Sequence, residues 1–159
     1  MIRRLFPVTP DGPYRGAKTA LWLLGIVAAL KMAMGLNSIF NGRTVLSSAD
    51  GVPLAAYPAD AAQTVAALFA IWAWSLLLFA LLAVLVLVRY RSLTSLVFAV
   101  LLLEHAGRKL ILQFIPIVRS DNAPASWINA ALLSVMALGF LLSLWRRSGS
   151  QGHGAPRAR

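Results

Sequence analysis

The sequence predicts an all-α fold: a polytopic membrane protein, a four-transmembrane-helix bundle with an ordered outer loop between helices 1 and 2. Three observations carry that prediction. The chain of 159 residues is 59% hydrophobic, whereas soluble domains are nearer half apolar. Its apolar residues fall into four stretches of roughly 20 residues, the helical length that crosses about 30 Å of hydrocarbon. Its net charge of +10 comes from Lys and Arg gathered at the ends of those stretches, where they anchor a chain in a bilayer.

The first span covers about 19–40, from Thr19 to Phe40, and contains Lys31. Its run TALWLLGIVAAL follows basic residues, as in a secretory signal. However, no A-x-A cleavage site closes it and apolar character resumes past Lys31, so it is expected to be retained. The second span, 63–88, ends in LLLFALLAVLVLV without a polar side chain. The third, 93–115, carries Glu104, His105, Arg108 and Lys109. The fourth, 126–145, is broken only by Asn129, Ser134 and Ser143. Residues 1–147 thus form one domain. The remainder, 148–159, reads SGSQGHGAPRAR, has no apolar periodicity and is expected to be a disordered basic tail.

Basic residues set the orientation. Arg3, Arg4, Arg15, Lys18, Arg89, Arg91, Arg146, Arg147, Arg157 and Arg159 fall on one side of four spans. Arg43 and Arg119 face Asp50, Asp60 and Asp121 on the other. By the positive-inside rule both termini are cytoplasmic. The short turn after Arg89 makes helices 2 and 3 antiparallel neighbours. The outer loop Asn41–Ala62 is long for a compact protein. It holds Asn41-Gly42 and Asp50-Gly51 turn signals, Pro53 and Pro58, and enough apolar side chains (Val45, Leu46, Val52, Leu54, Tyr57) to fold onto the helix ends as a cap.

The third span is the informative one. At about 100° per residue, Glu104 and Arg108 stand nearly in register and His105 and Lys109 flank them, giving one polar face. Ionisable side chains inside a membrane are costly and need partners. Counted from the cytoplasmic end, Lys31 and Glu104 lie at similar depth, near the midplane, and are expected to pair or to share a cavity. An i,i+4 contact with Arg108 competes for the same carboxylate. Arg108 and Lys109 can snorkel toward the outer surface, where Arg43 and Arg119 add charge. Lys31, Arg43, Glu104, His105, Arg108, Lys109 and Arg119 are therefore the expected site for a lipid phosphate, a carboxylate or a small anion. Of Trp72 and Trp74, at most one can face this seam.

Several chemistries are excluded. No cysteine occurs, so thiol catalysis and Cys-ligated metal are absent. No nucleophile motif, phosphate loop or zinc motif is present, and neither a metal nor another cofactor is expected. The positive charge is that of membrane anchoring, and nucleic acid is not an expected partner. The expected function is binding of a lipid headgroup or other amphipathic anion in the polar pocket, or service as accessory subunit of a larger membrane complex. Membrane lipids, a homo-oligomer or that complex are the expected partners. The alternatives are a small oligomeric transporter or channel, and an enzyme acting on a lipid or isoprenoid through Glu104 and His105. A transporter would be favoured by internal repeats or broken helices, and an enzyme by a second titratable cluster; only Lys31 answers the first one. Four spans with a long first outer loop resemble the plan of DoxX-like and similar small bacterial membrane proteins, a likeness of topology without a residue motif. It implies a bacterial cytoplasmic membrane as the setting.

Overall fold

The computed structural model describes Tyr14, residues 16–119 and residues 123–145. The tail 148–159 and the terminal basic residues that set the orientation, apart from Lys18, lie outside the described residues. Four long helices run through the chain: α1 (Lys18–Phe40), α2 (Ala59–Val88), α3 (Thr94–Phe114) and α4 (Ala125–Leu144). No strand occurs among the described residues.

Three of the helices, α1, α2 and α4, are long and apolar enough to cross a membrane. The fourth, α3, has 21 residues and differs in composition: any 18-residue stretch of it includes Glu104, Arg108 and Lys109. The helix α2 begins at Ala59, earlier than the apolar run at Gln63 suggests. Pro58 precedes it with φ −54°, and Asp60 in its first turn complements the helix dipole. Between α2 and α3 a short 3₁₀ turn, Arg91–Leu93, is tied down by Thr94 Oγ1 donating to Arg91 O at 2.7 Å and Arg91 Nε donating to Leu87 O at 2.9 Å.

Small residues on one stripe bring α1 and α2 together. Ala20, Leu24, Val27, Ala28, Lys31, Gly35 and Ser38 are the buried residues of α1, at steps of three or four residues apart from the adjacent Val27 and Ala28. Opposite them α2 buries Ala73, Leu76, Leu77, Ala80, Ala83 and Val86. A Cβ on Gly25 would lie 3.4 Å from Leu87, and one on Gly35 would lie 3.4 Å from the Ala73 carbonyl. Short side chains let two helices approach closely enough for dispersion to hold them. On the other side Phe98 of α3 packs onto Gly139 of α4, whose missing Cβ would collide with the Phe98 ring.

The helices do not contact one another equally. The main partner of α2 is α1 and that of α3 is α4, and α1 also packs on α4. By contrast α1 and α3 scarcely approach, and α2 and α3 pack little although one short turn joins them. The bundle is thus loosest where α3 faces α1 and α2.

The loop after α1 folds into a cap. A helical turn at Gly42–Thr44 leads into a wide π turn, Val45–Ala49, closed by Asp50 N donating to Val45 O at 3.0 Å. Gly51 adopts φ 70°, a left-handed conformation that costs glycine nothing, and the chain reverses there. Val52 N then donates to Leu46 O at 2.8 Å, and both Leu46 and Val52 are buried. The loop's apolar residues, legible in the sequence, are what seat it.

Candidate functional site

The stripe that packs α1 against α2 also carries Lys31 inward, and Lys31 is the largest fully buried side chain among the described residues. A lysine there is tolerable only with a counter-charge. Glu104 of α3 supplies it: Lys31 Nζ donates to Glu104 Oε2 at 2.9 Å. Two long side chains reach across the gap that the α1 and α3 backbones leave. The second oxygen, Glu104 Oε1, lies 3.7 Å from Arg108 Nη1 in the i,i+4 contact. One carboxylate therefore bridges two cations, as the spacing on α3 implies.

Arg108 is held on three sides. Its Nη2 donates to His105 Nδ1 at 2.9 Å, its guanidinium faces Glu104, and its Cζ lies 4.8 Å from the centre of the Trp72 ring. Trp72 is in turn tilted against Phe69, with ring centroids 5.3 Å apart. Cation–π contact with an indole suits a planar guanidinium and substitutes for lost water. Of the two deep tryptophans Trp72 meets the seam, and Trp74 is exposed on another face.

His105 is fully buried. Because an arginine N–H can only donate, Nδ1 acts as acceptor and the ring proton belongs on Nε2. That Nε2 has no hydrogen-bond partner among the described residues. Elsewhere in the core Thr94, Ser95 and Ser143 each donate to a backbone carbonyl. An unsatisfied buried donor is uncommon and costs about 1–3 kcal/mol.

Lys31, Glu104, His105 and Arg108 thus meet directly. Arg119 lies beyond the end of α3, within electrostatic reach of Arg108. Lys109 is exposed, and no hydrogen bond or ion pair holds it among the described residues. Arg43 does not join the cluster: it is exposed and its Nη2 donates to Gln63 Oε1 at 2.7 Å, tying the cap to α2. Asn37 and Asn41 likewise bond to each other on the exposed surface, with Asn41 Nδ2 donating to Asn37 Oδ1 at 2.8 Å.

Sequence reasoning did not place Asp50 in the site. The cap sets it within electrostatic reach of Arg119 and Arg108. Burial pushes its carboxyl above the usual range, and the two cations only partly oppose the shift. Among the described residues the cap end of the seam therefore sets Arg108, Arg119 and Lys109 against the Asp50 carboxylate and the shared Glu104. It is positive, though less so than the spans alone suggest. The signal was the Asp50-Gly51 pair, which marks a reversal that can return a side chain toward the bundle.

Comparisons of the chain with protein-family models, with curated proteins and with solved structures give no match.

Proposed function

We propose that this chain is an integral membrane protein whose four helices all span the bilayer, both termini cytoplasmic, and that it binds the anionic headgroup of an outer-leaflet lipid. Arg108, Lys109 and Arg119 are the binding cations in this reading, and Lys31, Glu104 and His105 fix Arg108 in place. The observation that carries it is the uneven satisfaction of charge along the seam. Deep inside, Lys31 is paired with Glu104 and sealed off. Toward the cap, the Arg108 side chain is 23% exposed and Lys109 is exposed outright.

The distribution of apolar side chains supports the bilayer setting. Trp22, Phe40, Ile71, Leu103, Phe114 and Trp127 are each more than half exposed, whereas a lysine, a histidine and several hydroxyls lie inside. In water that arrangement is inverted; in lipid it buries the polar groups and solvates the apolar ones. The low hydropathy of α3 is no obstacle, because its charges turn to partners on α1 and α2 and to the outer surface.

Binding is favoured over conduction by what lies on the other side of Lys31. Leu24, Val27, Phe98, Leu101 and Met136 are at most 1% exposed and fill the bundle between the charge cluster and the α2–α3 turn. Among the described residues that layer is apolar. Acid–base catalysis is disfavoured because Glu104 and His105 Nδ1 are already engaged.

Native mass spectrometry of protein from nanodiscs containing phosphatidylglycerol tests the reading. The wild type should retain the anionic lipid and Arg108→Gln/Lys109→Gln should lose most of it; equal occupancy in both would remove the proposal. Reporter fusions at the C-terminus and within Ser47–Asp50 should report opposite sides, and equal sidedness would refute four spans.

A further inference from the structure

Gly35 lets α2 approach α1, and Gly139 takes the Phe98 ring. Gly107 of α3 does neither: a Cβ there would have nothing within 4 Å among the described residues. A glycine inside a helix is destabilising relative to alanine, and no packing on a neighbouring described residue accounts for this one. At steps of four residues its row on the helix surface is Leu103, Gly107 and Ile111, and both Leu103 and Ile111 are exposed. Gly107 is therefore a notch of bare backbone between two branched side chains. The neighbouring row holds Glu104, three residues before Gly107, and Arg108, three residues before Ile111. The notch borders the charge cluster directly.

We infer that Gly107 seats an acyl chain of the lipid whose phosphate Arg108 holds, with Leu103 and Ile111 as the walls of a groove along α3. This rests on the lipid-binding reading above. At about 1.5 Å per residue, Leu103 stands about 14 Å and Ile111 about 26 Å from Thr94 at the start of the helix. Across about 30 Å of hydrocarbon that is the stretch from the midplane to the outer boundary, where an outer-leaflet chain lies. Depth and charge agree: the phosphate meets the Arg108 side chain near the outer surface, and the chain runs inward past Ile111 to Gly107. A second helix fits the notch poorly. Helices approach closely where small residues recur about one turn apart, and the positions a turn to either side of Gly107 are Leu103 and Ile111. A polymethylene chain is much narrower than a helix, which is about 10–12 Å across with its side chains, and can enter between them. Within lipid no hydrophobic gain separates a bound chain from a free one. The bound chain is held by dispersion against the open backbone and its two walls.

The test measures binding of phosphatidylglycerol with dioleoyl or with dihexanoyl chains to the full chain in detergent micelles. Wild type, Gly107→Ala, Gly107→Leu and Arg108→Gln are compared, and thermal unfolding is followed for each. Arg108→Gln should weaken both lipids. Gly107→Leu fills the notch and should weaken the dioleoyl lipid about fivefold, the equivalent of several lost carbon contacts. The dihexanoyl lipid ends short of the notch and should bind the leucine variant as it binds wild type. Gly107→Ala should fall between. Neither glycine variant should unfold at a lower temperature than wild type; a lower Tm in both would make the glycine structural and overturn the inference. If wild type holds both lipids through Arg108 but Gly107→Leu holds the dioleoyl lipid equally well, the inference falls and lipid binding stands. It falls likewise if Gly107→Leu weakens both lipids alike, or if it dissociates a homodimer, which would make the notch a helix contact. If wild type holds neither lipid, the lipid-binding reading is wrong and takes the inference with it.

Discussion

Lys31 Nζ donates to Glu104 Oε2 across 2.9 Å, from a side chain only 1% exposed, and joins two helices whose backbones scarcely approach. The two ends of this pair are not equivalent. Glu104 has a second cation, Arg108, at 3.7 Å, whereas no other carboxylate forms an ion pair with Lys31 among the described residues.

That asymmetry predicts unequal costs. Glu104→Gln strands a buried lysine beside Arg108 and should destabilise by about 3–5 kcal/mol. Lys31→Met leaves Glu104 with Arg108 and should cost distinctly less. Combining the two should recover part of the larger loss. Unfolding in mixed micelles measures all three, and simple additivity would show that the pair contributes no coupling.

Two glycines should respond in opposite directions. A Cβ at Gly139 meets the Phe98 ring, so Gly139→Ala should cost about 1–3 kcal/mol through overpacking. Shortening the partner with Phe98→Leu should relieve it. Gly107 has nothing within 4 Å, so Gly107→Ala should be neutral or stabilising by up to about 1 kcal/mol. Equal responses in thermal unfolding would contradict the packing of α3 on α4.

The bond from Arg108 specifies a tautomer for His105. Nitrogen-15 NMR of the imidazole should find a neutral ring protonated at Nε2. His105→Asn retains an acceptor near the Nδ1 position and should preserve the Arg108 arrangement, reported by Trp72 fluorescence. His105→Leu should disturb it. A ring protonated at Nδ1 would be incompatible with the contact.

Asp50 gives the pH dependence. Burial outweighs Arg119 and Arg108 and lifts its carboxyl above 3.8. A carboxyl that binds its proton more tightly when folded stabilises the fold while protonated. That contribution is lost as pH rises through the raised folded value. At neutral pH the ionised group is a cost, so Asp50→Asn should hold or raise Tm. The advantage should shrink as pH falls through the raised value and be gone below 3.8. A lower Tm for the variant at pH 7 would show that Asp50 holds the cap down.

The sequence by itself determined the helices and the pairing of charges. Apolar runs long enough to span a bilayer define α1, α2 and α4 because helix length and hydrocarbon thickness are matched physically. Lys31 and Glu104 could be matched from depth, since Lys31 is the one charge of the first span and Glu104, at a similar depth, the one acid of the third. The contact between Glu104 and Arg108 follows from helical spacing. What the sequence could not carry was direction around the bundle. Whether Trp72 or Trp74 met Arg108, whether Arg43 turned to the seam or to Gln63, and where the loop returned Asp50 all depend on how the helices are rotated and packed. Close packing at Gly35 against Ala73 and at Gly139 against Phe98 sets those rotations. Such contacts join residues far apart in the chain, and no local pattern records them.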